Sequence, residues 1–352
     1  MIGASVAAVA GLSAYKFLTT GEHTIPKIKP NPPNIPDKVV HIYDPRATKW
    51  DYSTERYLDF VDQRVVDEMM DRGVCELMST GNPETAWKQI LATYEPGDRI
   101  AIKPNFNNVN HGYKELITSP QVVSAVIKAL VMYLAVPENS IYVYDLCKVI
   151  PDDIVKSRIP YRVNYVGQKL VRSLKDKIAL RLHRGLDAPD KSARIEMTER
   201  ILDRSGKEVT CYLPKVLTQA HHLINIAILT NHIYILASGP LKNHFGTVRF
   251  SNMESYPVCL HGKVLPDAVL DINRNPHIRQ KTRLVVVDGL FGVYGRGEFS
   301  GIRKWKTFPC EDGTPNTLFL SRDPFAMESV VCEHVRRERE CHGLRILPAL
   351  IA

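Results

Sequence analysis

No Cys-x-x-Cys pair occurs anywhere in the chain. Its seven cysteines (Cys75, Cys147, Cys211, Cys259, Cys310, Cys332 and Cys341) are odd in number and scattered over 352 residues. That spacing excludes a disulfide framework, a zinc ribbon and an iron–sulfur cluster held by this chain alone. Also missing are the His-Glu-x-x-His pair of a zinc protease, the Gly-x-Ser-x-Gly elbow of a serine hydrolase and the Gly-x-Gly-x-x-Gly turn of a dinucleotide site. Aromatic residues make up only 8% of the chain. The most basic segment, between Lys156 and Lys207, holds 14 Lys/Arg against 6 Asp/Glu but no aromatics beyond Tyr161 and Tyr165. It therefore lacks the stacking platforms of a single-strand binder, and nucleic acid is not an expected partner. A solvated basic face explains the segment more simply, and it accounts for the whole formal excess of +8.

What is present is the composition of a globular protein, 44% hydrophobic and 24% charged, on a chain long enough for one large α/β domain. The front end differs from the rest. "MIGASVAAVAGLSAYKFL" is apolar and rich in small residues, interrupted by Lys16, and lacks the basic start of a complete signal peptide. It reads as an export-signal-like or membrane-proximal segment over residues 1–20, with an ordinary surface helix as the alternative. "IPKIKPNPPNIPDK" follows, with five prolines between Pro26 and Pro36, an extended spacer over 21–40 that holds the front away from the body. One α/β domain over 41–352 is expected after it, with an inserted basic hairpin subdomain at about 150–211.

Within that body, "IAIKPN", "SIYVYD", "HHLINIAIL" and "RLVVVDG" are short buried-strand patterns. Ser119-Pro120 opens a helix, "QVVSAVIKALVMYLA", that is apolar nearly all round. Alternation of this kind predicts a mostly parallel central sheet with flanking helices. Polar residues collect where the strands end: Lys103, Asn105 and Asn107 after the first, Asp145 after the second, Thr230-Asn231-His232 after the third, Asp288 at the fourth and Asp323 after "NTLFLS". Ligands of open parallel sheets bind outside those ends. Each aspartate alone is better explained as a cap or turn former, Asp323 before Pro324 above all. Lys103 resists that explanation, because a lysine continuing a buried strand must reach solvent or meet an anion. "GPLKNHFGTV" adds Ser238 just before it, then Lys242, Asn243 and His244. The glycine-rich "DGLFGVYGRGEFSG" reads as a loop that approaches an anion closely or as a flexible lid.

The order of these pieces resembles the domain of unknown function 362 family over roughly residues 98–340, most specifically in the Lys103-Pro104-Asn105 and Lys242-Asn243-x-x-Gly246 elements. The resemblance implies an α/β domain, often exported behind a twin-arginine-type signal, and hence an extracytoplasmic or membrane-associated location. Some family members carry ferredoxin modules; this chain does not. By motif, His232, Asp288 and Asp323 also match. Thr230 replaces a lysine usual before His232, Ser238 replaces a threonine, and Glu328 replaces an aspartate. The resemblance supplies no reaction.

From the residues and the resemblance together, the expected function is an enzyme of unassigned reaction that holds a small anionic ligand, a divalent metal ion, or both. Lys103, Lys242 and His244 are the expected catalytic groups, Asn105, Asn107, Asn243 and Ser238 the substrate-binding ones, and His232, Asp145 and Asp288 the metal ligands. Alanine at Lys103 or Lys242 is expected to weaken ligand retention and leave the fold intact. The competing expectation is a non-catalytic, membrane-associated accessory subunit with a membrane or protein partner at its front end.

Overall fold

The computed structural model describes residues 25–29, 38–108, 116–168, 185–251, 257–299, 301–308 and 313–350. The apolar front end at 1–20 lies outside them, and with it any membrane or complex partner it serves; so does most of the proline spacer. The spacer residues that are described lie against the body rather than away from it. Lys29 donates to Asp98 at 2.8 Å and to Glu95 at 2.9 Å, and among the described residues no helix is long and apolar enough to cross a membrane.

Ten strands follow in chain order: β1 (Val39–Tyr43), β2 (Ile100–Pro104), β3 (Ile141–Asp145), β4 (Asn164–Gly167), β5 (Pro189–Ile195), β6 (Cys211–Pro214), β7 (His222–Thr230), β8 (Arg249–Phe250), β9 (Thr282–Val293) and β10 (Thr317–Ser321). Seven of them form the central sheet in the order β1-β10-β9-β7-β2-β3-β4. β9, β7, β2, β3 and β4 are parallel neighbours, while β10 pairs antiparallel with both β9 and β1 and so runs alone against the rest. The mostly parallel α/β fold is therefore present, with one reversed strand. That reversal moves the end of β10 to the opposite rim, away from the ends of β2, β3, β7 and β9. Asp323 there accepts the N–H groups of Phe325 and Ala326 and caps the last helix.

The helices are α1 (Gln63–Met78), α2 (Pro83–Ile90), α3 (Pro120–Leu134), α4 (Lys215–Thr218), α5 (Pro240–Asn243), α6 (Leu265–Arg274), α7 (Pro276–Arg279) and α8 (Pro324–Cys341). Strand side chains alternate between two cores, as a period of two requires. Ile100, Ile102, Ile224, Ile226 and Ile228 face one side with Val65, Met69, Trp87, Val122 and Val126 of α1–α3. On the other face, Ala101 and Leu223 meet Leu241 and Ile272, while Ala227, Leu229 and Val285 meet Met327 and Val331 of α8.

The basic segment expected as an inserted hairpin subdomain at about 150–211 is divided between two sheets. β4 closes one edge of the main sheet, while β5 and β6 pair antiparallel and are completed by β8 in a second, three-stranded sheet. Residues 169–184 of that segment lie outside the described residues.

Candidate functional site

Chain order matters where the strands end. From β2 the chain steps outward to β3 and β4, then returns to the other side of β2 with β7 and moves on to β9. The connections leaving β2 and β7 therefore diverge, which opens a crevice at their carboxyl ends. A cleft of about 380 Å³ lies there, a volume suited to a small molecule. It is lined after β2 by Asn105, Asn107 and Asn108, and after β3 by Cys147. The end of β7 and its following loop supply Thr230, Asn231, His232, Ser238 and Lys242, and the glycine-rich loop after β9 supplies Arg296. Among the described residues, no aspartate or glutamate belongs to this lining. A larger, more open groove of about 610 Å³ runs along β1 and α1 at the far edge of the sheet, among Lys38, Asp71, Arg72 and Glu76, remote from these strand ends.

Lys242 is the unusual member. Only 9% of it is exposed, and among the described residues its ammonium has no carboxylate within salt-bridge distance and no hydrogen-bond acceptor, resting 4.7 Å from the centroid of the Phe245 ring. Burial pulls its pKa down to about 8; the neighbouring Arg296 adds to that shift, while Glu328 opposes it. His232 also lines the cleft, and burial together with Lys242 keeps its imidazole neutral, with a pKa lowered to about 2. Its Nδ1 accepts the Tyr234 backbone N–H at 3.3 Å, which places the ring hydrogen on Nε2. His261 stacks on His232 with ring centroids 5.3 Å apart and meets Phe245 edge-on at 5.4 Å. Arg296 is positioned through its backbone: its N–H donates to Asn231 Oδ1 at 2.8 Å and its carbonyl accepts Asn231 Nδ2 at 3.0 Å.

Behind this wall lies a second, closed cluster. Lys103 is fully buried, and its Nζ donates to the Pro104 carbonyl at 2.7 Å, Asp145 Oδ2 at 3.2 Å and Asn243 Oδ1 at 3.3 Å. All three donors are used, so Lys103 faces no ligand. Asp145 also accepts the N–H of Phe106 at 2.8 Å and of Cys147 at 3.1 Å, drawing the loops after β2 and β3 together. Asn243 Nδ2 donates to Asn225 Oδ1 at 2.7 Å and to the Lys103 carbonyl at 3.0 Å. His244 is buried beneath, its Nε2 3.3 Å from Asn225 Nδ2 and its Nδ1 3.2 Å from Thr247 Oγ1; burial holds it neutral at about 3.

One short turn thus sends successive side chains to different places. Lys242 enters the cleft, while Asn243 and His244 hold the frame under it. Glycines flank the turn because heavy groups press on it from both sides. A Cβ at Gly239 would lie 2.6 Å from Glu328 Oε2, and one at Gly246 would lie 2.5 Å from Asp145 Oδ1 and 2.9 Å from Lys103 Nζ. Gly246→Ala should accordingly lower stability by about 1–3 kcal/mol, the usual cost of overpacking. Chemical denaturation measures this, and an unchanged midpoint would show that the ion pair moves aside freely. Glu328 is fully buried, accepts the Leu241 N–H at 3.0 Å, and is pushed by burial up to about 7.

Of the ten residues expected from the sequence, Asn105, Asn107, His232, Ser238 and Lys242 line the cleft. Lys103, Asp145, Asn243 and His244 form the frame behind it. The expectation that alanine at Lys103 spares the fold is corrected: this cation is one half of a buried ion pair. Asp288 belongs to neither group. It accepts the N–H of Ser119 at 2.7 Å and of Leu290 at 3.0 Å, and burial raises its carboxyl to about 6. Its carboxylate, rather than the Ser119 hydroxyl, anchors the start of α3. His232, Asp145 and Asp288 do not converge, and among the described residues no group of three His, Cys, Asp or Glu side chains is placed to hold a metal ion. Arg296 and His261 were not legible. Arg296 sits between Gly295 and Gly297 in a loop read for its glycines, and His261 follows a segment with no strand or helix signature.

The model of a family described as "Domain of unknown function (DUF362)" matches residues 100–333. No curated protein matches the sequence. A solved structure, that of the lactate racemase apoprotein from Thermoanaerobacterium thermosaccharolyticum, is similar at 10% identity with a TM-score of 0.38. The superposition covers 78% of this chain and 55% of that one, so the chain spans about half the length of that protein.

Proposed function

The chain belongs to the DUF362 family, and from that premise and the cleft we propose that it is an enzyme binding a small anionic substrate at the carboxyl ends of β2 and β7. Lys242 carries the reading. A buried ammonium without a carboxylate or acceptor is costly unless something supplies the missing charge, and an anion in the cleft does so. Arg296 brings a second cation to the same hollow, and Asn105, Asn231 and Ser238 supply amide and hydroxyl groups. Among the described residues, a lining with two cations, two imidazoles and no carboxylate favours an anion over a hard divalent cation, whose usual ligands are oxygen anions. An accessory subunit that merely kept the fold would need the Lys103–Asp145 frame but would gain nothing from leaving Lys242 unpaired.

Binding of oxalate and of inorganic phosphate, measured by titration calorimetry, tests this directly. The free amine titrates near 8, and an anion favours its charged form. Below pH 8 the site is already protonated and affinity is flat on this account. Above pH 8 each binding event must take up a proton, and affinity falls roughly tenfold per pH unit. Absence of binding at pH 7, or binding indifferent to pH between 7 and 9.5, would contradict the assignment.

A further inference from the structure

The anion site contains a nucleophile, and we infer that Lys242 forms an imine with the carbonyl carbon of a small oxo acid whose carboxylate is held beside Arg296. This rests on the anion-binding reading and narrows its substrate class. A lysine that only clamps an anion is usually exposed or paired and strongly hydrated. Lys242 is instead nine-tenths buried in a cleft, backed by the Phe245 ring and, among the described residues, without a hydrogen-bond acceptor to hold the proton that masks its lone pair. Desolvated amines next to another cation are the nucleophilic kind. With its pKa near 8, the neutral fraction at neutral pH is roughly three hundredfold larger than that of an ordinary lysine.

The surroundings suit carbonyl addition. His232 offers a neutral ring with its hydrogen on Nε2, a donor for a carbonyl oxygen that does not surrender a full proton. Arg296 provides the planar fork that fits a carboxylate. In the step itself the neutral Nζ adds its lone pair to the carbonyl carbon, and a proton passes from nitrogen to the former carbonyl oxygen to give a carbinolamine. That oxygen leaves as water with the second amine hydrogen, and a C=N bond replaces C=O. Nothing is oxidised or reduced, and water is the sole by-product. The resulting imine, once protonated from solvent, withdraws electrons from the bonds at the adjacent carbon.

The test uses the full chain with glyoxylate as carbonyl probe, sodium cyanoborohydride to reduce any imine, and peptide mass spectrometry to place the adduct. Oxalate, which has two carboxylates and no reactive carbonyl, serves as competitor and is titrated separately by calorimetry. The expected result is a reduced adduct on Lys242, formed tens to roughly a hundredfold faster than on exposed lysines and slowed by oxalate. Oxalate binding without a Lys242 adduct, or labelling at similar rates on surface lysines, overturns the imine while leaving the anion site standing. Lys242 labelling that oxalate does not slow overturns the oxo-acid assignment. If oxalate neither binds nor protects, the anion reading fails as well.

Discussion

Lys103→Met should lower the unfolding free energy by about 3–5 kcal/mol. Methionine fills nearly the same volume, so the loss is electrostatic rather than a cavity effect. With the ammonium gone, the Asp145 carboxylate remains about 2% exposed, retaining the Phe106 and Cys147 N–H groups and the Cys147 thiol. The Pro104 carbonyl and Asn243 Oδ1 lose their donor as well. Removing one partner leaves a buried charge uncompensated, and that is the expensive way to break such a pair. Combining the change with Asp145→Asn removes the orphaned charge and should recover part of the loss, since the two sites interact directly. Urea denaturation of the single and double variants reads both effects. A single-variant loss below about 1 kcal/mol would mean that the pair does not hold the strand ends together.

Lys242→Met, by contrast, should abolish most anion binding while making the protein more stable. The electrostatics of the two lysines are opposed: Lys103 is paired within the protein, and on the proposed reading Lys242 takes its partner from outside. Truncating one partner of a buried charge pair costs about 2–5 kcal/mol of affinity, roughly thirtyfold to several thousandfold. For stability, the folded state disfavours the charged amine, because its pKa falls from 10.5 to about 8. For a base with a depressed folded pKa, that penalty is complete below pH 8 and fades as pH rises toward 10.5. An apolar side chain of similar size has no such penalty, so Lys242→Met should gain about 1–3 kcal/mol at pH 7, with the gain shrinking above pH 8. Such a trade between stability and a strained site is common where function resides. A variant that loses stability along with binding would place Lys242 in the frame beside Lys103, contrary to this account.

The strands were legible because their residues are apolar on both faces and end in polar groups, and Asp323 before Pro324 was legible as a cap. The reversal of β10 was not, since a five-residue buried strand has the same sequence pattern in either direction. Its direction follows from pairing with β9 on one side and β1 on the other, both distant in sequence. That polar residues gather at the strand ends was also readable, but which of them line the cleft and which form the frame behind it was not. Lys103 and Lys242 look alike as lysines that directly follow an apolar residue. Only the register of β2 against β7, and the turn that aims Asn243 at Lys103, decide which of them is consumed by the frame. Adjacency in sequence groups Asn243 and His244 with Lys242, whereas successive residues of a helical turn point about 100° apart. Arg296 is held by backbone contacts to Asn231, a relation between loops more than sixty residues apart that leaves no local signal.

The central claim is that the Lys242 amine stands desolvated in the cleft and awaits an anion. Following its Nζ resonance by heteronuclear NMR across a pH titration, with and without oxalate, measures this at the atom concerned. The account predicts a midpoint near 8 in the free protein that moves upward when oxalate is bound. A midpoint at the ordinary lysine value of 10.5, unmoved by oxalate, would contradict it.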